Sequence, residues 1–400
     1  MNKILIVSHA MEIGGAERAL IGLLDSIDYE KYDVDLFLCR HSGELLQMIP
    51  QIVHILPQNK ARFLAIPMKE LIRQRKFSIL YGRLKSKLLS KMYVKKHKLG
   101  NNNQVELTYS HKYTYKYIEK INEEEEYDLA ISFLTPHYLV ANNVRSKKKI
   151  AWIHTDYASI EIDIKTEYDM WKVYNHIISI SDSCTTSFIQ KFPNLANKII
   201  KIENILTREM VEKQSNAYEV EDMIGTNEVL LLSIGRFSYA KNFDNIPDIC
   251  RRVLKKGIDV KWFIIGYGPD ESLIKSKIKE YQLEDKVVLL GKKDNPYPYI
   301  KKCDIYIQPS RYEGKAVTVR EAQLLQKPVI ITRYATSSDQ VHDGLDGVII
   351  DMDNEKCAQG IVDFIKDKGK QEKIIDYLKQ HDYSNEFEVK KLYTIIGDNL

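Results

Sequence analysis

Apolar residues along this chain come in short unbroken runs rather than in strict alternation with polar ones. The first run, "KILIVS" (3–8), is followed by a glycine-bearing loop, "HAMEIGGAER", and a helix-length stretch to about Ile27. Further runs are "VDLFLC" (34–39), "LAISF" (129–133), "KIAWIH" (149–154), "HIISIS" (176–181) and "KIIKIEN" (198–204), with helical stretches between several of them. Such runs read as strands buried on both faces, and their alternation with helices predicts a doubly wound α/β unit. Residues 207–228 are polar and predict a linker. A second, more regular series follows: "EVLLLSIG", "VKWFIIG", "KVVLLG", "DIYIQPS" and "PVIIT", with helices expected from Phe243, from Asp270, near Tyr297–Lys302 and from Ala316. An amphipathic helix is expected over 385–398.

The expectation is therefore an α/β protein of two Rossmann-like domains facing each other across a cleft. The boundaries read as 1–205, 206–384 and a C-terminal helical segment, 385–400, that returns to the first domain. Four hundred residues suit two cores better than one. A net charge of +4 does not by itself argue for nucleic acid as a partner, and none is expected. Five cysteines, widely spaced and without a C-x-x-C pair, read as reduced buried thiols with no zinc site. The start, "MNKILIVSHA", lacks a secretory h-region, and no apolar stretch approaches the ~20 residues a membrane-spanning helix needs. A cytoplasmic protein is expected.

Ligands of doubly wound sheets bind outside the carboxyl ends of the strands, and the distinctive motifs stand there. "GGAER" (14–18) joins a strand to a helix; it is either a tight turn or a close backbone approach to a ligand. In "SIGRFSYAKN" (233–242), Arg236 and Lys241 suit a diphosphate, the one by forked hydrogen bonds and the other as a point charge, unless both are simply solvated. In "IIGYGPDESL" the glycines and Pro269 read as structural turn residues. "AWIHTDY" puts His154 after a strand, where it is either structural or part of a site. "SISDSCTTSF" reads as a helix cap at Ser181 or Asp182. Glu313 and Glu321, eight positions apart, flank the start of a helix. Two carboxylates around a diphosphate-binding helix start could each accept from a vicinal diol; taken alone, they read as a terminal acid and a solvated helix acid.

Taken in order, "GGAER", "SIGRFSYAKNFD", "IIGYGP", "DIYIQPSRYEGKAVTVREAQLLQKPVIIT" and "DGLDGVII" resemble the family 4 retaining glycosyltransferases of the GT-B fold. The resemblance runs over nearly the whole chain; it is strongest over 229–351 and weak over 57–125. The form "EGKAVTVREAQ" is similar to bacterial enzymes of capsular and surface polysaccharide assembly. The resemblance implies transfer of a sugar, with retention, from a nucleotide-sugar such as a UDP-sugar to a hydroxyl of a glycan acceptor. It implies that Arg236 and Lys241 bind the donor diphosphate and Glu321 the ribose. Glu313 would face the donor sugar, in the donor loop with Gly314, Lys315, Ala316 and Val317. His154 would lie beside the reacting centre, and Gly15 would let its loop close on the ligands. Where many members carry Phe-Gly-x-Pro after the first Glu-Gly, this chain has Lys315, Ala316, Val317 and Thr318, so the donor sugar does not carry over. No Asp-x-Asp pair follows a strand, so neither metal nor cofactor is expected. A sugar-nucleotide 2-epimerase, a pyridoxal-dependent phosphorylase and a non-catalytic nucleotide-sugar-binding subunit are the competing readings.

One segment reads apart from the rest. Residues 69–98 hold eleven Lys or Arg and a single acid, Glu70, while Phe77, Leu80, Leu84, Leu88 and Met92 follow helical spacing. Either the apolar stripe packs on the first domain and the lysines are solvated, or the helix lies on an anionic membrane surface. The resemblance favours the second reading. It implies a peripheral enzyme on the inner face of the cell membrane, acting on a polyprenyl-diphosphate-linked acceptor.

Overall fold

The computed structural model describes residues 1–12, 14–100, 102–225, 227–313 and 316–397. The chain divides into two compact units, the first comprising Met1–Ile205 and the segment from Asn385 on, the second Leu206–Ser384.

Unit 1 is built on a seven-stranded sheet in the order β3-β2-β1-β4-β5-β6-β7. Its strands are β1 (Asn2–Ser8), β2 (Tyr32–Leu38), β3 (His54–Ile55), β4 (Tyr127–Ser132), β5 (Ser146–Ile153), β6 (His176–Ser179) and β7 (Ile199–Lys201). Every pairing is parallel. This explains the unbroken apolar runs: Ile4 to Val7 and Leu129 to Ile131 are covered on both faces and are essentially inaccessible to solvent.

Between β3 and β4 stand two longer helices, Phe77–His97, expected from the spacing of Phe77 to Met92, and Val105–Thr114, packed against each other. The packed face of the first is Ile79, Gly82, Ser86 and Ser90. A Cβ at Gly82 would stand 2.6 Å from the Tyr113 carbonyl oxygen, so only glycine permits this approach. The C-terminal helix, Val389–Ile396, belongs to unit 1. Tyr393 stacks on Tyr32 at 4.4 Å and its hydroxyl accepts from Asp28 N at 2.8 Å, while Lys148 donates to the Ile395 carbonyl at 2.7 Å. A cation there also suits the negative end of the helix.

Unit 2 carries six parallel strands in the order β10-β9-β8-β11-β12-β13. These are β8 (Val229–Ile234), β9 (Val260–Ile265), β10 (Val287–Gly291), β11 (Ile305–Gln308), β12 (Val329–Thr332) and β13 (Val348–Ile350). The stretch expected as a linker includes a helix, Arg208–Ser215, capped by Thr207 and anchored by buried Met210 and Val211. It packs on the helix Tyr297–Lys302, and Tyr299 donates to Asp222 at 2.8 Å, so this stretch is part of unit 2. In the centre of the unit, the fully buried Trp262 donates its indole N–H to Ser233 Oγ at 3.0 Å, and Ser233 donates to the Ile307 carbonyl at 2.6 Å. That relay ties β9, β8 and β11 together through side chains. Among the described residues, no helix is long and apolar enough to cross a membrane.

Candidate active site

In unit 2 the strand order reverses between β8 and β11, which is where open α/β sheets offer a crevice. The loops leaving these two strands carry most of the residues singled out from the sequence. Glu313 sits at their junction. Its Oε1 accepts from Lys241 Nζ at 2.6 Å, from Ser310 Oγ at 2.6 Å and from Gln308 Nε2 at 3.2 Å. The pair is largely withdrawn from water, with side-chain exposures of 22% for Lys241 and 10% for Glu313. Lys241 is thus not the solvated cation of the simpler reading.

The network continues inward. Tyr306 donates to Gln308 Oε1 at 2.7 Å, and Gln308 donates to Ser310 Oγ at 2.9 Å. Thr336 donates to the Glu313 carbonyl at 2.8 Å. Arg311 locks the two loops together: it grips Asp244 through both terminal nitrogens at 2.9 and 3.0 Å, and its backbone N–H donates to the Ala240 carbonyl at 2.8 Å. Its guanidinium also stands 4.2 Å from the Tyr239 ring centroid. Arg236 is exposed and stands in none of the ion pairs among the described residues.

The helix Val317–Leu324 begins at Ala316, a buried N-cap with no side-chain cap bond. Gln340 secures that start, accepting from Ala316 N at 3.1 Å and donating to its carbonyl at 2.5 Å. Val317 is exposed. Gly314 and Lys315 lie outside the described residues. Glu321 is 3% exposed, and Tyr297 donates to its Oε1 at 2.9 Å. It is therefore no solvated helix acid. Gly266 and Gly268 are structural, as their motif suggested: both have positive φ, and a Cβ would meet Gly235 O at 1.9 Å or Phe237 O at 2.3 Å. The loop after β9 therefore fits edge to edge against the loop that carries Arg236.

In unit 1, His154 stands just after β5, its ring 4.7 Å from that of Phe133. Its Nε2 is buried and has no hydrogen-bond partner among the described residues. Burial pushes its pKa down to about 4, so the ring is neutral at neutral pH. It borders a cavity of about 100 Å³ shared with His111, His137 and Glu167. Gly15 opens the helix Gly15–Ser26, and a Cβ there would meet nothing within 4 Å, so local packing does not require the glycine. Ser181, not Asp182, caps its helix, accepting from Cys184 N at 3.2 Å. Gln308, Ser310, Arg311, Thr336 and Gln340 escaped the sequence reading. The one available signal was a polar Gln308 closing the apolar strand "IYIQ". Among the described residues, no group of three or more His, Cys, Asp or Glu is placed to hold a metal ion.

Solved structures of similar fold cover the chain almost end to end. Staphylococcus aureus TarM superposes with a TM-score of 0.67 at 14% identity, over 100% of this chain and 99% of that one. Anabaena HepE in complex with UDP and glucose gives 0.62 at 17% identity, over 99% of both. The fold is GT-B. The GT-B chain also matches, over residues 215–381, the family model described as glycosyl transferases group 1. Curated relatives align over shorter lengths. An N-acetylgalactosamine-N,N'-diacetylbacillosaminyl-diphospho-undecaprenol 4-alpha-N-acetylgalactosaminyltransferase of Campylobacter jejuni is 29% identical over 161 residues, 38% of this chain and 43% of that one. A poly(ribitol-phosphate) alpha-N-acetylglucosaminyltransferase of S. aureus is 28% identical over 158 residues, 38% of this chain and 30% of that one. The chain spans less than half the length of these two relatives.

Proposed function

We propose that this protein is a glycosyltransferase of surface glycan assembly. It moves a sugar, with retention and without a metal, from a UDP-sugar to a hydroxyl of a glycan acceptor. The observation that carries this reading is the Lys241–Glu313 node at the switch point of unit 2, with Arg236 exposed on the adjoining loop. As the glycosidic bond breaks, negative charge grows on the departing nucleoside diphosphate. Arg236 and Lys241 stabilise that charge more than the ground state, which is what accelerates the step. Glu313, already held by Ser310 and Gln308, keeps two neutral donors when Lys241 turns to phosphate, and orients donor-sugar hydroxyls. Glu321 takes the ribose. The departing phosphate oxygen accepts the acceptor's proton on the same face, so no protein nucleophile is assigned. His154, neutral, serves as a hydrogen-bonding ring rather than a cation. Unit 1 is the acceptor side. Two relatives support a phosphate-bearing acceptor, since their names carry a diphospho-undecaprenol and a poly(ribitol-phosphate). The test is a panel of UDP-, GDP- and ADP-sugars assayed for transfer, hydrolysis and epimerisation, with and without chelator. Transfer from a UDP-sugar that survives chelation is expected; epimerisation alone, or binding without turnover, would refute the reading.

The second element of the proposal is an anionic membrane surface as partner, on the cytoplasmic face. On helix Phe77–His97 Ile79 and the small residues Gly82, Ser86 and Ser90 are buried, and most of the large apolar residues face out. Phe77, Tyr81, Leu84, Leu88 and Met92 are each more than half exposed. Lysines 85, 87, 91, 95 and 96 flank that stripe, all exposed. Of the stripe named from the sequence, only Leu80 packs against the core, which supports the membrane reading over the packed one. Each basic residue near anionic headgroups contributes about 1 kcal/mol, and the stripe adds apolar burial. Liposome flotation tests this: the protein should rise with anionic lipid, while Leu84→Glu with Leu88→Glu should leave it at the bottom. Wild-type protein that stays down at low salt would rule out the membrane.

A further inference from the structure

Unit 1 has a switch point of its own, between β1 and β4. A cavity of about 430 Å³ opens there, and every residue that lines it belongs to unit 1. The turns after β1 and β4 contribute His9 and Thr135, the helix Phe77–His97 contributes Arg83, and the helix Val105–Thr114 contributes Glu106, Ser110 and His111. The smaller cavity beside His154 shares Leu107, His111 and Thr135 with it, so the two adjoin.

The wall carries one cation, Arg83, one acid, Glu106, and two histidines. Arg83 is half-buried, and its guanidinium donates to the Ile66 carbonyl. It stands in no ion pair among the described residues; the one acid that acts on it, Glu106, is exposed. A half-buried cation with no direct ion pair, and only a solvent-exposed acid near it, is partly uncompensated, and an anion held against it would lower that cost. The two histidines point the same way. Burial holds both rings below their ordinary range. Arg40 reinforces this at His9 against a smaller opposing effect of Glu12, and His9 and Arg83 reinforce it at His111. Both rings are therefore neutral, and both can become donors to an anion that repays their burial.

We propose that this cavity binds the phosphoryl head of the acceptor, a diphosphate ester gripped by Arg83 between His9 and His111. The inference rests on the acceptor-side reading of unit 1 and names the chemistry of that side. Arg83 also stands on the same helix as the exposed apolar stripe, so one helix would present the lipid-facing stripe outward and the phosphate-binding cation inward.

Pyrophosphate and geranyl diphosphate are titrated into the full chain carrying Arg236→Ala and Lys241→Ala, which removes the diphosphate-binding cations assigned to unit 2. The ring signals of His9 and His111 are followed by NMR. A saturable shift of both rings is expected, with a rise in their titration midpoints. Binding should weaken by about tenfold or more in Arg83→Gln, since a forked charged contact is lost. Ser110→Asp, which brings a carboxylate to the wall and leaves Arg83 intact, should weaken it as well and covers a failure of Arg83→Gln to fold. Tighter binding of geranyl diphosphate than of pyrophosphate supports the site with a lipid-linked head; equal binding supports it with a water-soluble phosphorylated acceptor. Silent rings, or a response that both variants leave unchanged, overturn the proposal. A ring response in wild-type protein that turns over no nucleotide-sugar would instead retire the transferase reading and leave the anion cavity standing.

Discussion

Removing Lys241 should cost stability as well as turnover, and the size of the cost tests the node at the switch point. In Lys241→Ala, Glu313 remains a carboxylate at 10% exposure with Ser310 and Gln308 as neutral donors. A fully orphaned buried charge costs roughly 3–5 kcal/mol, and a charged hydrogen bond is worth about 1.5–3 kcal/mol. With two donors left, about 2 kcal/mol is expected. For a unit of this size that corresponds to a fall of roughly 4–8 °C in the transition of unit 2. Glu313→Gln keeps an acceptor for Lys241 and should cost about 1 kcal/mol. The double variant should cost less than the sum, with a coupling of about 1–2 kcal/mol in a double-mutant cycle measured by calorimetry. Additivity within about 0.5 kcal/mol would show that the two side chains do not interact, and the reasoning from this geometry would fail. UDP gives a second readout. At 100-fold over its dissociation constant it should stabilise wild type by about 2.7 kcal/mol, and Lys241→Ala by far less at the same concentration.

The two acidic residues of the site should separate by ligand: Glu321→Gln weakens UDP and the intact donor alike, whereas Glu313→Gln weakens the donor and spares UDP. Calorimetric titration of both ligands decides this, and equal effects in both variants would show the roles are wrongly divided. Acid should destabilise unit 1. Burial pushes His137 and His111 down to about 3 and His154 to about 4, so below about pH 6.5 the unfolded chain binds protons that the folded one does not. Each such ring lowers stability by about 1.4 kcal/mol per pH unit as pH falls through that window, with Glu167, whose burial raises its pKa, opposing the slope at the acid end. Urea midpoints from pH 7.5 to 5 measure it, and a flat profile would contradict the burial of these rings.

Long parallel strands declared themselves in the sequence because burial on both faces leaves an unbroken apolar run. β3, with only two residues, was too short to do so. The helix Arg208–Ser215 hid because only Met210 and Val211 of its apolar side chains are buried, too few to set up a period. Helix Phe77–His97 misleads in a different way. Its packed face joins Ile79 to small residues around Gly82, so of the periodic residues Phe77, Leu84, Leu88 and Met92 end up in solvent and only Leu80 packs on the core. At the site, the separate positions of Lys241 and Glu313 after strands were legible. Their contact was not, because 72 residues separate them and the sheet order that brings their loops together is not written in either motif.

The relay from Trp262 through Ser233 to the Ile307 carbonyl has an experimental consequence. The chain has three tryptophans, and Trp152 and Trp171 both lie in unit 1. Trp262 is therefore the sole indole of unit 2, and it is sealed from solvent. Excited in a Trp152→Phe, Trp171→Phe chain, its emission would move to the red only when unit 2 opens. Native tryptophans thus make each unit its own optical reporter, and melting of one can be timed against the other without attaching a dye.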